Sequence, residues 1–372
     1  MSHIVEIFRR HGGLYLQEHR RHILPSHRRT IRDIRRCRTP VMGGHIYQCS
    51  HCDHYHYSYH GCGNRHCPQC QSQATRRWVD QRMEEVMPVP YFHLVFTLPS
   101  EFRAIVRANQ KIAYGILFKA AAESLIKLAA DERYLGTRFI GILAVLHTWS
   151  RAMLYHPHVH LLVPAVGLSR DCGTVHFSRR QYLVPVKALS NIFRAKFIAK
   201  LKAALPEQVI PAATGKKAWV VFCKHLDLGP QKAITYLGRY LNRVAVSDAR
   251  VQRLPDGDVS VSYRDDSRVK RAQLSAHEFL RRYLQHVLPK GFNKVRRYGL
   301  FAPGKRVSLT ALRHQLLLGE LTKRSILAAP KRPIERQRWQ RCPQCGDGVM
   351  RPVQCLGPNY RSRSPPVDIA LS

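Results

Sequence analysis

Two pairs of side chains in this sequence have the types and spacing to cut a phosphodiester. The segment LYHPHVHLLV, Leu154 to Val163, reads as a strand. Strand alternation then sends His158 and His160 to one face and Val159 to the other, so two imidazoles share one side and can hold a metal ion. Further on, ITYLGRYLNR reads as a helix in which Tyr236 and Tyr240 stack their phenols on one face, within reach of a single phosphate. Neither pair signifies alone. With 21 His in 372 residues, His-x-His arises by chance about once, and it recurs at His54/His56 and His156/His158. Tyrosines at helical spacing equally suit a core face. Context strengthens the histidines: the pair opens the apolar run LLVPAVG after a second run, IGILAVLHTW, as in neighbouring strands of a buried sheet.

The elements that must position these groups are legible around them. YFHLVFTLP, Tyr91 to Pro99, reads as a strand, and Ile105 to Ala130 as one helix. Phe139 to Thr148 and His158 to Val163 are expected to be antiparallel neighbours. A helix at Leu189 to Ala204 and a strand at AWVVFCKHL follow. GPQKAITYLGRYLNR carries Pro230 at a first-turn position. Next come a hairpin about the PDG turn and a helix in SAHEFLRRYLQHVLP with Ser275 as N-cap. The class is α+β, a central, mainly antiparallel sheet flanked by helices and preceded by a small zinc-binding domain. Two nitrogens do not complete a metal site. His147, on the adjacent strand, is the favoured third protein ligand, with His156 and His93 left open. Arg243 lies three residues beyond Tyr240 and is better placed than Arg239 to meet phosphate charge.

Cysteines mark the N-terminal region. Cys49-Ser-His-Cys52 and Cys67-Pro-Gln-Cys70 are two CxxC pairs fourteen residues apart, the pattern of four sulfurs around structural Zn²⁺. Cys62 stands close enough to take the place of one of them, as do His51, His54 and His66. Arg65 flanks the knuckle and suits a phosphate contact. Near the other end, Cys342-Pro-Gln-Cys345 with Cys355 reads as an incomplete knuckle of three sulfurs. Of 11 Cys, six lie in CxxC pairs, which fits reduced thiols and metal ligation over a disulfide framework. The expected division is 1–75, a helical N-terminus with a four-cysteine zinc-binding domain; 88–303, the catalytic unit; and 304–372, a basic tail. Sixty-one Lys and Arg against 24 acidic residues, a formal charge of +37, are spread along the chain and call for a polyanionic partner. No apolar run reaches the ~20 residues of a spanning helix, and the start MSHIVEIFRRHGG lacks a secretory core. The expectation is a soluble intracellular protein that binds nucleic acid.

HPHVH on a strand, YLGRY on a later helix and a CxxC…HCPQCQ knuckle ahead of both resemble the rolling-circle insertion-sequence transposases of the HUH endonuclease superfamily, in their two-tyrosine form. The likeness runs through VFTLP, VLHTWS, ITYLGRYLNRVAVSDAR and EFLRRYLQHVLPKGFNKVRRYGLFA, from about Cys49 to Ala302. It implies metal-dependent nicking of single-stranded DNA at transposon ends and target, through a covalent 5′-phosphotyrosine. It carries over Tyr236 and Tyr240 as nucleophiles and His158 and His160 as ligands of Mg²⁺ or Mn²⁺. It also implies a bacterial cytosolic protein, nucleoid-associated when bound to DNA. A plasmid replication or transfer relaxase would share this chemistry, and a zinc-dependent nucleic-acid-binding protein without activity would share the charge and cysteines. The sequence carries no signal for an oligomeric state.

Overall fold

The computed structural model describes residues 2–83, 86–169, 174–179, 181–226, 238, 245–265, 268–321 and 341–359. The chain divides into two units, residues 1–71 with 327–372, and residues 72–326. In the first, α1 (His3–Glu18) starts at Ser2, whose hydroxyl accepts from the Val5 amide. It buries Ile4, Val5, Ile7 and Phe8 and packs on α2 (Pro25–Arg36), which buries Ile31 and Ile34. β1 (Gly44–Cys49) and β2 (Tyr55–Tyr59) pair antiparallel. The other edge of β1 is taken by the C-terminal strand Met350–Leu356, with Gly44 opposite Leu356 and Cys49 opposite Met350. This departs from the expected separate tail at 304–372. Residues 306–321 form a helix within the second unit, whereas 341–359 complete the sheet of the first. The edge of β1 away from β2 carries backbone donors and acceptors, and among the described residues the C-terminal strand satisfies them.

The boundary between the units falls within α3 (Pro68–Met83). Beyond it come β3 (Tyr91–Thr97), α4 (Arg103–Ala108), α5 (Gln110–Ala129), β4 (Phe139–Trp149), β5 (Tyr155–Pro164), β6 (Val166–Leu168), β7 (Val175–Phe177), α6 (Val186–Ala204) and β8 (Val221–Leu226). The single helix expected over 105–130 is broken at Asn109, where the backbone leaves helical geometry at φ −118° and ψ 43°; its amide N–H still reaches the Ile105 carbonyl at 3.0 Å, and its side-chain amide donates to the same carbonyl at 3.1 Å. The hairpin becomes a three-stranded antiparallel sheet of β9 (Val251–Arg253), β10 (Val259–Asp265) and β11 (Arg268–Leu274). The helix Ala276–Leu284 starts at Ser275 as expected, the hydroxyl accepting from the Glu278 amide. β12 (Val295–Gly299) follows.

The main sheet has the order β7-β6-β4-β5-β3-β8, with β12 also paired to β4, and its pairings are antiparallel. Phe92, Leu94, Phe96, Ala144, Leu146, Val159 and Leu161 fill one face, in a core shared with α5 and α6. On the other face Leu143, Val145 and Leu162 pack with Leu300, Phe301, Leu309 and Leu312. β4 is therefore covered on both sides, which is why FIGILAVLHTW is apolar nearly throughout and not alternating. The architecture is α+β, a central antiparallel sheet flanked by helices. No described helix is long and apolar enough to cross a membrane.

Candidate active site and metal centres

β5 lies between β4 and β3, and its register places His158 opposite His147 and Thr97, and His160 opposite Val145 and Val95. Residues directly opposed in an antiparallel pair point to the same face. His147, His158 and His160 therefore project together, away from α5 and α6, and one ring nitrogen from each lies within 4.8 Å of the others. Metal–nitrogen bonds of about 2.1 Å set neighbouring ligand atoms roughly 3 to 3.5 Å apart, so a small contraction closes this set on one ion. The Nδ1 atoms of His158 and His160 are engaged. His158 Nδ1 donates to the His156 carbonyl at 2.7 Å, and His160 Nδ1 lies 2.8 Å from Nε2 of His93, the two rings nearly parallel. Both contacts leave Nε2 to face the cluster. Of the three candidates for a further ligand, His147 enters the cluster, His93 touches His160, and His156 lends its carbonyl to His158.

Burial tunes these groups for ligation. It holds His93 and His158 at about 4 and pushes His147 and His160 well below the usual histidine range, with neighbouring imidazoles adding to the effect. All four are neutral at pH 7, the form that binds metal. Three imidazoles suit a borderline ion such as Mn²⁺ better than Mg²⁺, which prefers oxygen. The His147 ring stacks on Trp149, and the Lys294 ammonium lies over that indole, 4.6 Å from its centroid. His286 is buried nearby, its Nδ1 3.2 Å from Thr148 Oγ1 and its Nε2 3.2 Å from the Met153 carbonyl, and burial pushes it down to about 3.

Tyr236, Tyr240, Arg239 and Arg243 lie outside the described residues. Gly238, between the tyrosines in sequence, is helical and buried. A Cβ on Gly238 would stand 2.3 Å from Val79 Cγ2 of α3, so this position meets α3 through bare backbone. Arg65 is exposed, two residues before Cys67.

Cys49, Cys52, Cys67 and Cys70, expected to share one ion, do not converge. Cys67 and Cys70 face Cys37 and Cys62, whereas Cys49 and Cys52 face Cys342 and Cys345, and within each tetrad the sulfurs lie within 4.8 Å of one another. The CxxC pairs sit on different elements: Cys49 ends β1 beside the C-terminal strand, and Cys67 and Cys70 open α3 near Cys37, which caps α2. Cys62 is thus a full member of the first tetrad. The knuckle at 342–345 is completed by the N-terminal pair, and Cys355 is exposed outside both groups. Hydrogen bonds from Cys62 and Cys67 hold Cys37 down at about 2, and the thiolate is the form that binds zinc. Cys37 has no CxxC spacing and was invisible as a motif. The arithmetic gives only that three CxxC pairs need two more sulfurs to make two sets of four, and the structure supplies Cys37 and Cys62.

Residues 141–308 match the family described as "Putative transposase", and residues 7–98 match the "Transposase zinc-binding domain" of the IS91 type. "Putative transposase y4qJ" of Sinorhizobium fredii (strain NBRC 101917 / NGR234) is 36% identical over 378 residues, spanning 94% of each chain. The chain belongs to the IS91 family of rolling-circle insertion-sequence transposases. "Transposase for insertion sequence element IS801" of Pseudomonas savastanoi pv. phaseolicola is 30% identical over 290 residues, 73% of this chain and 70% of its own. Among solved structures, a bacterial tRNA(His) guanylyltransferase-like protein in complex with ATP aligns with 58% of this chain and 98% of its own at 12% identity and a TM-score of 0.22, too low to bear on the fold. As an IS91-family transposase the protein acts on DNA, and its structural metal is zinc. The transposase match contains the three histidines, the tyrosine pair and Lys294. Sequence reasoning did not single out Lys294, one of 61 basic residues with no spacing to mark it.

Proposed function

We propose that this IS91-family transposase nicks and rejoins single-stranded DNA through a tyrosine phosphodiester made by Tyr236 or Tyr240 beside the His147–His158–His160 cluster. The observation that carries the reading is the convergence of three neutral imidazoles on one sheet face, two of them, His158 and His160, already held by orienting contacts. Family membership supports the coarser part, DNA cleavage and strand transfer. A divalent ion held by the three imidazoles would supply Lewis-acid polarisation of a non-bridging oxygen of the scissile phosphate.

The tyrosine Oη attacks phosphorus, the P–O3′ bond breaks and the P–Oη bond forms, and the phenol proton ends on the released 3′ oxygen. A phenol with an ordinary pKa near 10 needs cationic neighbours to react at neutral pH, and Arg239, Arg243 and Lys294 are the candidates. The phosphotyrosine conserves the energy of the broken bond, so a 3′ hydroxyl or the second tyrosine reverses the step on another strand. Two nucleophiles suit transfer over hydrolysis. A relaxase would use the same chemistry, but both the zinc-domain match and the relatives favour transposition.

The test incubates the protein with end-labelled single-stranded DNA from its element's ends and looks for an adduct that survives denaturation. The expected adduct forms at lower Mn²⁺ than Mg²⁺ and is lost in Tyr236→Phe/Tyr240→Phe and in His158→Ala, while DNA binding persists. Adduct formation or strand joining by the double phenylalanine variant would refute the proposal.

A further inference from the structure

We propose that Cys49, Cys52, Cys342 and Cys345 bind a second structural zinc ion, distinct from one held by the Cys37, Cys62, Cys67 and Cys70 tetrad, and that this ion clasps the C-terminal segment to the N-terminal unit. The zinc-domain match ends at residue 98, so half of these ligands lie outside it.

Distance is the first argument. Cys49 Sγ lies 3.7 Å from Cys345 Sγ, and Cys52 Sγ 3.8 Å from Cys342 Sγ. Four thiolates at about 2.3 Å around a tetrahedral zinc stand about 3.8 Å apart. The same edge length recurs in the first tetrad, 3.6 Å for Cys37–Cys70 and 3.8 Å for Cys62–Cys70. A disulfide needs sulfurs at about 2.05 Å, so the spacing suits an ion shared by four thiolates.

The backbone around the sulfurs is built to match. The amides of His51 and Cys52 donate to Cys49 Sγ at 3.3 and 3.4 Å, and the Gly348 amide donates to Cys345 Sγ at 3.4 Å. Such bonds favour the charged thiolate. The two knuckles also bind each other: the Ser50 amide donates to the Val349 carbonyl, and the Val349 amide to Ser50 Oγ, both at 3.0 Å. A Cβ on Gly348 would stand 2.2 Å from Cys49 Sγ, so only glycine lets the second knuckle close on the first. Cys49, Cys342 and Met350 are the buried residues of a small cluster there. So little apolar surface adds little to the β1 ladder in holding a strand whose partner ligands are 290 and 296 residues away in sequence, whereas metal binding adds a crosslink.

The experiment uses the full chain, purified reduced and dialysed against EDTA to remove weakly held ions, with zinc counted by mass spectrometry and its ligands read by X-ray absorption. The expected result is two zinc ions per chain with a sulfur-only shell. Cys342→Ser/Cys345→Ser is expected to hold one, and Cys355→Ser two. A single zinc in the unaltered protein, a shell containing nitrogen, or two zinc ions in Cys342→Ser/Cys345→Ser would each overturn the proposal. The count and shell of the unaltered chain decide the matter even where the double variant does not fold. None of these readouts depends on cleavage activity.

Discussion

Lys294 and the buried histidines show how much of the site's chemistry depends on individual side chains. The ammonium sits over Trp149, which stacks on His147, so positive charge lies at the border of the imidazole cluster. Lys294→Met is expected to lower cleavage roughly 100-fold, the scale of losing one charge-stabilising donor, with DNA affinity changed less than two-fold. Equal losses in binding and cleavage would make Lys294 a general phosphate contact. The histidines also impose a pH dependence on the metal-free fold. His93 and His158 are held at about 4 and His286 at about 3, all below the unfolded value of 6.5. A lowered histidine leaves the unfolded chain binding more protons, so stability is complete above about pH 6.5 and is lost as pH falls toward 3. Unfolding between pH 5.5 and 6.5, above the carboxylate range, is expected to take up roughly two protons through these three rings, read from the slope of denaturation free energy against pH. Uptake below one proton would mean these rings are not buried and neutral.

Among elements, Gly238, the one described residue between 227 and 244, meets Val79 of α3. Alanine at an exposed helical position normally stabilises by about 1 kcal/mol over glycine, but here its Cβ would meet Val79 Cγ2 at 2.3 Å. Overpacking of that kind costs about 1 to 3 kcal/mol, and the stiff valine side chain has little room to give way. Gly238→Ala is therefore expected to reduce adduct formation several-fold, and Val79→Ala in the same chain to restore it. Full activity of Gly238→Ala alone would show that the contact does not position the segment. The strands around the site were legible for local reasons. Alternation put His158 and His160 on one face, and the apolar run ending at His147 marked a neighbouring strand. The break at Asn109 was not legible, because the run from 105 to 130 is helical by composition on both sides of it.

For the whole molecule, charge dominates association. A formal +37 spread along 372 residues implies many phosphate contacts. Affinity for single-stranded DNA is expected to fall by roughly 10³-fold between 50 and 200 mM salt, the scale for six or more neutralised phosphates. A decline under ten-fold would point to base stacking or shape as the main source of affinity. The same scale governs the zinc clasp. By the argument used for a disulfide, a crosslink between residues 290 apart removes on the order of 5 kcal/mol of unfolded-chain entropy.

By itself the sequence determined the properties that depend on near neighbours or on sums. The α+β class follows from local periodicity, the shared face of His158 and His160 from strand alternation, and the need for a polyanionic partner from net charge. The thiolate chemistry of the CxxC pairs follows from turns of four residues. Tertiary structure decided which of these local units meet. The register of β4 on β5 selected His147 from three candidate histidines, and the C-terminal strand on β1 sent Cys342 and Cys345 to Cys49 and Cys52. Those pairings are set by strand register and packing across tens to hundreds of residues, and no spacing within one segment records them.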